Sequence, residues 1–304
     1  MKKLGYIAFV FLVPILIIAG VVEYLLRSIP NDYQTKNNQI ALQKDSITTL
    51  ILGSSHTLYG VNPDFINQNA FNGANISQTI DIDYTILKQS IFKLPKLKNV
   101  VIRVSHTTLF ELLPKMSEAW RMRNYYIYYD NLDLPWSLFN RFEIFTTHFK
   151  LNLKRLFDFY IDDKSSLNCL PNGWNTSYKT SAHRSLAKSA KIAVIRHNIK
   201  DFKYHKQCKS YLKMIIDLCE QHNINVILIT PPACNEYINQ LYQPQLNKTI
   251  SFCKELDQTH KNCIYINYFL NDSFTISDFF DADHLNHSGA EKLSNDLNKY
   301  LREK

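Results

Sequence analysis

At 304 residues the chain can hold one large domain, or one domain with an insert, and its 18 Tyr and 18 Phe supply enough apolar surface for a substantial core. Its formal net charge of +8 would suit nucleic acid, a membrane surface or an anionic polymer. No zinc-finger spacing and no RNP-like strand accompanies that charge, so nucleic acid is set aside as a partner. The six cysteines, Cys169, Cys208, Cys219, Cys234, Cys253 and Cys263, form no C-x-x-C pair, which excludes a zinc ribbon or a thioredoxin-type site. Export would permit disulfides, with Cys253 and Cys263 able to close a short loop; buried free thiols are the other reading.

Lys2 and Lys3 precede an apolar run from Leu4 to Val22. Nineteen residues at helical rise span about 28 Å, the hydrocarbon thickness of a bilayer. No small-residue cleavage site follows, because the run continues through Val21-Val22-Glu23-Tyr24-Leu25-Leu26. Residues 1–27 therefore read as an uncleaved signal anchor with a cytoplasmic N-terminus, and the rest as extracytoplasmic. Residues 28–46 are polar and read as a linker with at most one short helix.

The remainder, residues 47–304, alternates short apolar strands with amphipathic helices. Strands are expected at Thr48–Gly53, Ala70–Asn72, Asn99–Val104, Asn225–Thr230 and Cys263–Asn267. Helices are expected briefly at 62–69, then over Ser77–Leu94, Tyr204–His222, 236–260 and His287–Leu301. Fully apolar strands between helices predict an α/β fold whose parallel sheet is covered on both faces. Residues 111–205 lose the alternation and read as a mainly helical, aromatic-rich insert. Within it, residues 179–206 hold eight Lys/Arg against Asp201 alone, a basic stretch suited to anionic headgroups or a charged glycan.

Polar residues cluster past three strands, where open parallel sheets build their sites. Gly53-Ser54-Ser55-His56-Thr57 can present a serine hydroxyl at the sheet edge, and a helix following it would aim backbone N–H groups at an oxyanion. Asn72-Gly73-Ala74-Asn75 offers close backbone approach and amide donors. Asp281-Ala282-Asp283-His284-Leu285-Asn286 places a carboxylate three residues before an imidazole, so that one turn joins them. Serine chemistry needs such a base, and a carboxylate that fixes its tautomer. A metal site is the rival reading, since Asp281, Asp283, His284 and His287 offer four ligands within seven residues.

Taken together these residues resemble the SGNH/GDSL hydrolase superfamily. Gly53-Ser54-Ser55 is similar to its G-D-S block, with Ser55 in the nucleophile's place. Asp281-x-x-His284-Leu285-Asn286, followed by Gly289-Ala290, is similar to its D-x-x-H block. The resemblance implies a flavodoxin-like three-layer α/β sandwich. It also implies Ser55, His284 and Asp281 as catalytic residues, and Gly73, Asn75 and Ser105 at the oxyanion and substrate. Asp283 is expected to face solvent and to be dispensable. The third block departs: Arg103-Val104-Ser105-His106-Thr107 has no asparagine, so Ser105 or His106 substitutes, or the hole rests on backbone amides and Asn75. The resemblance covers roughly residues 48–110 and 210–302. With the anchor, the architecture is also similar to envelope proteins that help to modify teichoic acids or exopolysaccharides.

The expected function is that of a serine esterase or O-acyltransferase acting on an acylated envelope glycan, without a cofactor. Its expected partners are the bacterial cytoplasmic membrane, through the N-terminal helix, and a multispanning acyltransferase. A catalytically inactive glycan-binding or scaffold protein of the same fold is the alternative.

Overall fold

A computed structural model describes residues 2–66, 69–129, 131–145, 148–179 and 185–302. The five expected strands form, with edges trimmed by about a residue: β1 Thr49–Leu52, β2 Ala70–Asn72, β3 Asn99–Arg103, β4 Asn225–Thr230 and β5 Cys263–Asn267. They make one wholly parallel sheet in the order β2-β1-β3-β4-β5. The period-two alternation of each strand sorts its side chains between two cores. Leu50, Leu52, Val100, Ile102, Val226 and Leu228 enter one. Ile51, Val101, Ile227 and Ile229 enter the other.

Eleven α-helices are described. α1 is Lys2–Arg27, α2 Asp32–Leu42, α3 Ser55–Gly60, α4 Ile80–Lys93, α5 Met122–Tyr128 and α6 Phe149–Tyr160. α7 is Leu186–His197, α8 His205–Gln221, α9 Asn235–Ile238, α10 Gln243–Thr259 and α11 His287–Arg302. α4 and α8 cover one face through Ile86, Leu87, Leu212 and Ile216. α7 and α11 cover the other through Ala190, Ala193, Leu293 and Leu297. The result is a three-layer α/β sandwich with flavodoxin-like strand order.

Within α1, Phe9–Arg27 is long and apolar enough to cross a membrane; its side chains are mostly exposed as far as Val21, whereas Leu26 in the last turn is buried against the domain. Residues 28–46 hold α2, which is fastened to the domain: Ile40 joins the core, and the buried Lys36 ammonium donates to the Ala74 carbonyl. Burial pulls the Lys36 pKa down to about 8. The helix expected at 62–69 is only a 3-10 turn, Pro63–Phe65, and residues 67 and 68 lie outside the described residues. α4 starts three residues later than its hydrophobic pattern suggests. Ser77 has a φ of 56° and Thr79 is extended, so the chain cannot be helical before Ile80.

The stretch 111–205 contains α5, α6 and α7 separated by 3-10 turns and extended chain. It is packed into the domain: Leu113, Met122, Tyr125 and Tyr129 lie in the core shared with α4. All six cysteines are free thiols, five of them buried, and burial pushes Cys208, Cys219 and Cys234 up to about 12.

Candidate active site

β1 ends at Leu52, at the point where the strand order reverses between β1 and β3, so that loops on either side of β1 diverge and leave a crevice. Gly53 makes the turn. It has a φ of 125°, and a Cβ there would lie 2.6 Å from Arg103 Cβ and 2.8 Å from Thr57 Oγ1. Only glycine fits this backbone and this approach of β1 to β3. Ser54 is the extended residue before α3, and Ser55 is the first residue of α3. The helix is held beneath by Asn72, whose Nδ2 donates to the carbonyls of Thr57 at 2.8 Å and Val61 at 2.7 Å.

The D-x-x-H segment forms a tight turn organised by one oxygen. Asp281 Oδ1 accepts from His284 N at 3.0 Å, Asp283 N at 3.2 Å and His284 Nδ1 at 2.9 Å. Asn286 anchors the turn to α11, donating to Ser277 O at 2.7 Å and accepting from Gly289 N at 3.1 Å. The other ring nitrogen, His284 Nε2, lies 2.8 Å from Ser55 Oγ. With Nδ1–H donated to Asp281, Nε2 carries the lone pair and accepts from the serine hydroxyl. Residues 229 positions apart in sequence thus form a continuous Ser55–His284–Asp281 chain.

The residues expected at the oxyanion are engaged elsewhere. Gly73 N donates to Ile51 O at 2.8 Å, extending the β1–β2 pairing. Asn75 Nδ2 donates to Gln78 Oε1 at 2.9 Å and Tyr129 OH at 3.1 Å, and Asn75 N bonds to Gly53 O. Ser105 Oγ accepts from Arg103 at 2.6 Å. None of the three lines the cleft beside Ser55. The polar groups of the 72–75 and 103–105 loops satisfy one another because both loops are buried, and a buried polar atom left unpaired is costly. The backbone N–H groups of the first turn of α3 and the buried Arg103 guanidinium remain as positive features of the cleft wall.

Asp283 also departs from expectation, being only 3% exposed. Its Oδ1 lies 3.6 Å from His284 Nδ1, and its Oδ2 lies 3.4 Å from His56 Nε2 and 3.9 Å from His197 Nδ1. Burial alone would raise its pKa, but the surrounding imidazoles hold it well below the usual carboxylate range. Burial opposes protonation of His284 as well; Asp283 and Asp281 outweigh it, so the His284 pKa is raised above 6.5. His56 stacks on His284 with centroids 4.8 Å apart, and burial pulls its pKa down to about 4.

Of the four residues offered as metal ligands, Asp283 and His284 converge, with His56 as the third member of the group. His287 instead packs beside Phe65 and Trp174. Asp281 and both nitrogens of His284 are engaged in the serine chain, which leaves that set poorly suited to a cation.

The cleft holds about 760 Å³, and much of its wall comes from the insert. Residues 115–118 line it together with Arg196, His197, Ile199, Asp201, Lys203 and Tyr204. Tyr178 lies between Tyr59, at 3.9 Å, and Phe280, at 3.7 Å, all three rings stacked, and meets His284 edge-on. Trp174 fixes the chain leading to it, donating from Nε1 to Tyr59 O at 3.0 Å. Nothing in the sequence flagged Tyr178, which lies over a hundred residues from both the serine turn and the D-x-x-H turn. Asp283 and His56 were visible beside the motifs but not their burial.

No family model matches the chain, and no curated protein matches it. Among solved structures the chain is similar to one from Streptococcus pneumonia provisionally described as a platelet activating factor. The identity is 11%, the TM-score is 0.44, and the match covers 88% of this chain and 91% of that one. It is also similar to a protein of Bacteroides fragilis NCTC 9343 provisionally described as an acylhydrolase, with 12% identity, a TM-score of 0.41 and coverage of 87% and 93%.

Proposed function

We propose that the chain is a serine esterase or O-acyltransferase that works on an acyl ester through an acyl-enzyme on Ser55, at the outer face of a bacterial cytoplasmic membrane. The observation that carries this reading is the unbroken hydrogen-bonded chain from Ser55 Oγ through His284 to Asp281 at the edge of an open cleft.

In this reading Ser55 Oγ attacks the ester carbonyl carbon while its proton passes to His284 Nε2. Asp281 keeps Nδ1 protonated and stabilises the imidazolium. The carbonyl oxygen becomes an oxyanion, favoured by the N–H groups opening α3 and by the Arg103 charge. The C–O bond to the leaving alcohol then breaks and the alcohol takes the proton from His284. Water or a sugar hydroxyl next gives a proton to His284 and attacks the acyl carbonyl; as the acyl–Oγ bond breaks, His284 returns that proton to Ser55 Oγ, yielding an acid or a new ester. Tyr59 and Tyr178 give the cleft an aromatic lining beside His284, in keeping with an acylated glycan as substrate.

One observation favours the inactive glycan-binding alternative: the Gly73 N–H, the Asn75 side-chain amide and the Ser105 hydroxyl are all bonded to groups other than Ser55. A missing oxyanion donor typically costs about 10²–10³ in rate. Labelling the full chain with a fluorophosphonate probe separates the readings. The enzyme reading expects labelling that Ser55→Ala abolishes and Ser54→Ala spares, with circular dichroism unchanged in both. Absence of labelling in the native chain overturns it.

A further inference from the structure

α6 is amphipathic in an inverted sense. At helical spacing Phe149, Leu153, Phe157 and Tyr160 form one stripe, and each of the four is exposed, Phe149 by 68% and Phe157 by 60%. The helix is attached to the domain by its polar side instead. Asn152 is buried and donates to Ile144 O at 3.1 Å, while Arg155 bonds to the buried Glu143 at 2.8 Å. A surface helix of a soluble domain buries its apolar stripe. In the segment that receives this helix, Phe139 is 66% exposed and packs against Phe145 with ring centroids 5.7 Å apart, and Trp136, three residues earlier, is 78% exposed. Contiguous apolar surface of this kind marks an interaction site.

The last turns of α1 are tied to this region. Glu23 accepts from Glu143 N at 3.0 Å and Ile144 N at 2.9 Å, Arg27 donates to Arg141 O, and Tyr160 OH donates to Leu25 O at 3.0 Å. Whatever surrounds α1 therefore ends at the level where α6 and residues 136–145 begin. Aromatic residues with interspersed Lys and Arg are the composition of the membrane–water interface. α6 places Lys150 beside its aromatic stripe, where its ammonium group can reach lipid phosphates, while Lys154 pairs with Asp158 on the same helix.

We propose that α6 and the preceding 136–145 segment lie in the headgroup–acyl boundary of the same bilayer that α1 enters, forming an interfacial collar that fixes the domain on the membrane. The occupant of the apolar face is lipid, not a second copy of the chain and not another protein. The inference rests on the reading of α1 as a membrane span, and it is independent of the chemistry at Ser55. An orientation fixed by two elements holds the cleft at a constant height and angle over the bilayer, which a single flexible tether does not.

The test uses the full chain in nanodiscs of phosphatidylcholine with and without bromine on the acyl chains. The Trp136 signal is taken as the difference between the native chain and W136F. Trp136 is expected to lose about half its emission to lipid bromine, since an interfacial helix sits about 5–10 Å into the acyl boundary. In parallel, I17W reports on α1. Quenching at I17W without quenching at Trp136 overturns the collar while leaving the span intact. Quenching at neither position overturns the span, and the collar with it. A Trp136 shielded from aqueous acrylamide yet untouched by bromolipid means that copies of the chain cover the face, and this also overturns the proposal.

Discussion

Replacing Gly53 with alanine tests whether the turn after β1 sets both the fold's stability and the position of Ser55. The new Cβ would lie 2.6 Å from Arg103 Cβ and 2.8 Å from Thr57 Oγ1, on a backbone whose φ of 125° side chains rarely adopt. The backbone term costs about 1–3 kcal/mol. Forcing a methyl into a packed junction costs about another 1–3 kcal/mol. A combined loss of about 4 kcal/mol lowers Tm by about 8–16 °C in a domain of this size. Relief requires β1 and β3 to part or α3 to shift, and Ser55 is two residues away. A displacement of about 1 Å at the reacting atoms costs about 10²-fold in rate. The assay pairs thermal unfolding followed by circular dichroism with the rate of fluorophosphonate labelling. Gly60→Ala is the control: its Cβ would meet nothing closer than 3.5 Å, and Gly60 has no positive φ. Gly60→Ala should leave both readouts near native. If Gly53→Ala matches Gly60→Ala in Tm and in labelling, the argument from backbone strain is refuted.

Asp281→Asn should lower turnover by about 10⁴, as loss of the tautomer-fixing carboxylate does in other serine enzymes. Asp283→Asn should keep the Ser55–His284 hydrogen bond but remove a charge that raises the His284 pKa, so the acid limb of the pH–rate profile should move to lower pH. Equal losses in the two variants, or recovery on adding a divalent metal, would favour a metal site. Folding should weaken in acid. His56 and His106 are buried neutral, with pKa values pulled down to about 4 and about 3, whereas the unfolded chain protonates them near 6.5. His197, also held neutral by burial, adds a third such group. The Asp83 and Glu111 carboxyls, raised by burial to about 7, gain protons in the folded state and oppose the loss. The net effect is complete above about pH 6.5 and falls away towards pH 4 at about 1.4 kcal/mol per pH unit, one net proton. His284, with its raised pKa, contributes the other way, and that contribution is already complete below about pH 6.5. Calorimetric Tm values that stay flat from pH 7 to 4.5 would contradict this. The basic stretch 179–206 should bind anionic vesicles or an anionic polysaccharide in a salt-sensitive way. Lys188, Lys191, Lys200 and Lys203 are exposed, while Arg184 lies outside the described residues. Changing those four lysines to Gln should abolish co-sedimentation with the polysaccharide and remove the salt-sensitive part of vesicle binding, and unaltered binding to both would sink the idea.

The strands and main helices were legible because their signals are local. TTLILG, NVVIRV and NVILIT are apolar runs with turn residues at their ends, and parallel strands buried on both faces need little else. The Asp281–His284 contact was legible for a similar reason, since a D-x-x-H turn brings carboxylate to imidazole within four residues, and a glycine-opened turn presents a serine. What lay beyond reach was decided by contacts between distant segments. Asn75 looked like an oxyanion donor, but Tyr129, 54 positions away, takes its amide. Asp283 looked solvated, but His56 from the first turn of α3 and His197 from the insert enclose it. The polar appearance of α2 concealed Lys36, whose burial depends on the Ala74 carbonyl meeting it. α6 shows the same limit from the other side: its periodicity gives an apolar stripe, but only the tertiary structure decides that Asn152 and Arg155 face inward and the aromatic rings outward. Periodicity reports which residues share a face, whereas the direction in which that face points follows from hydrogen bonds and packing with segments that the local sequence does not contain.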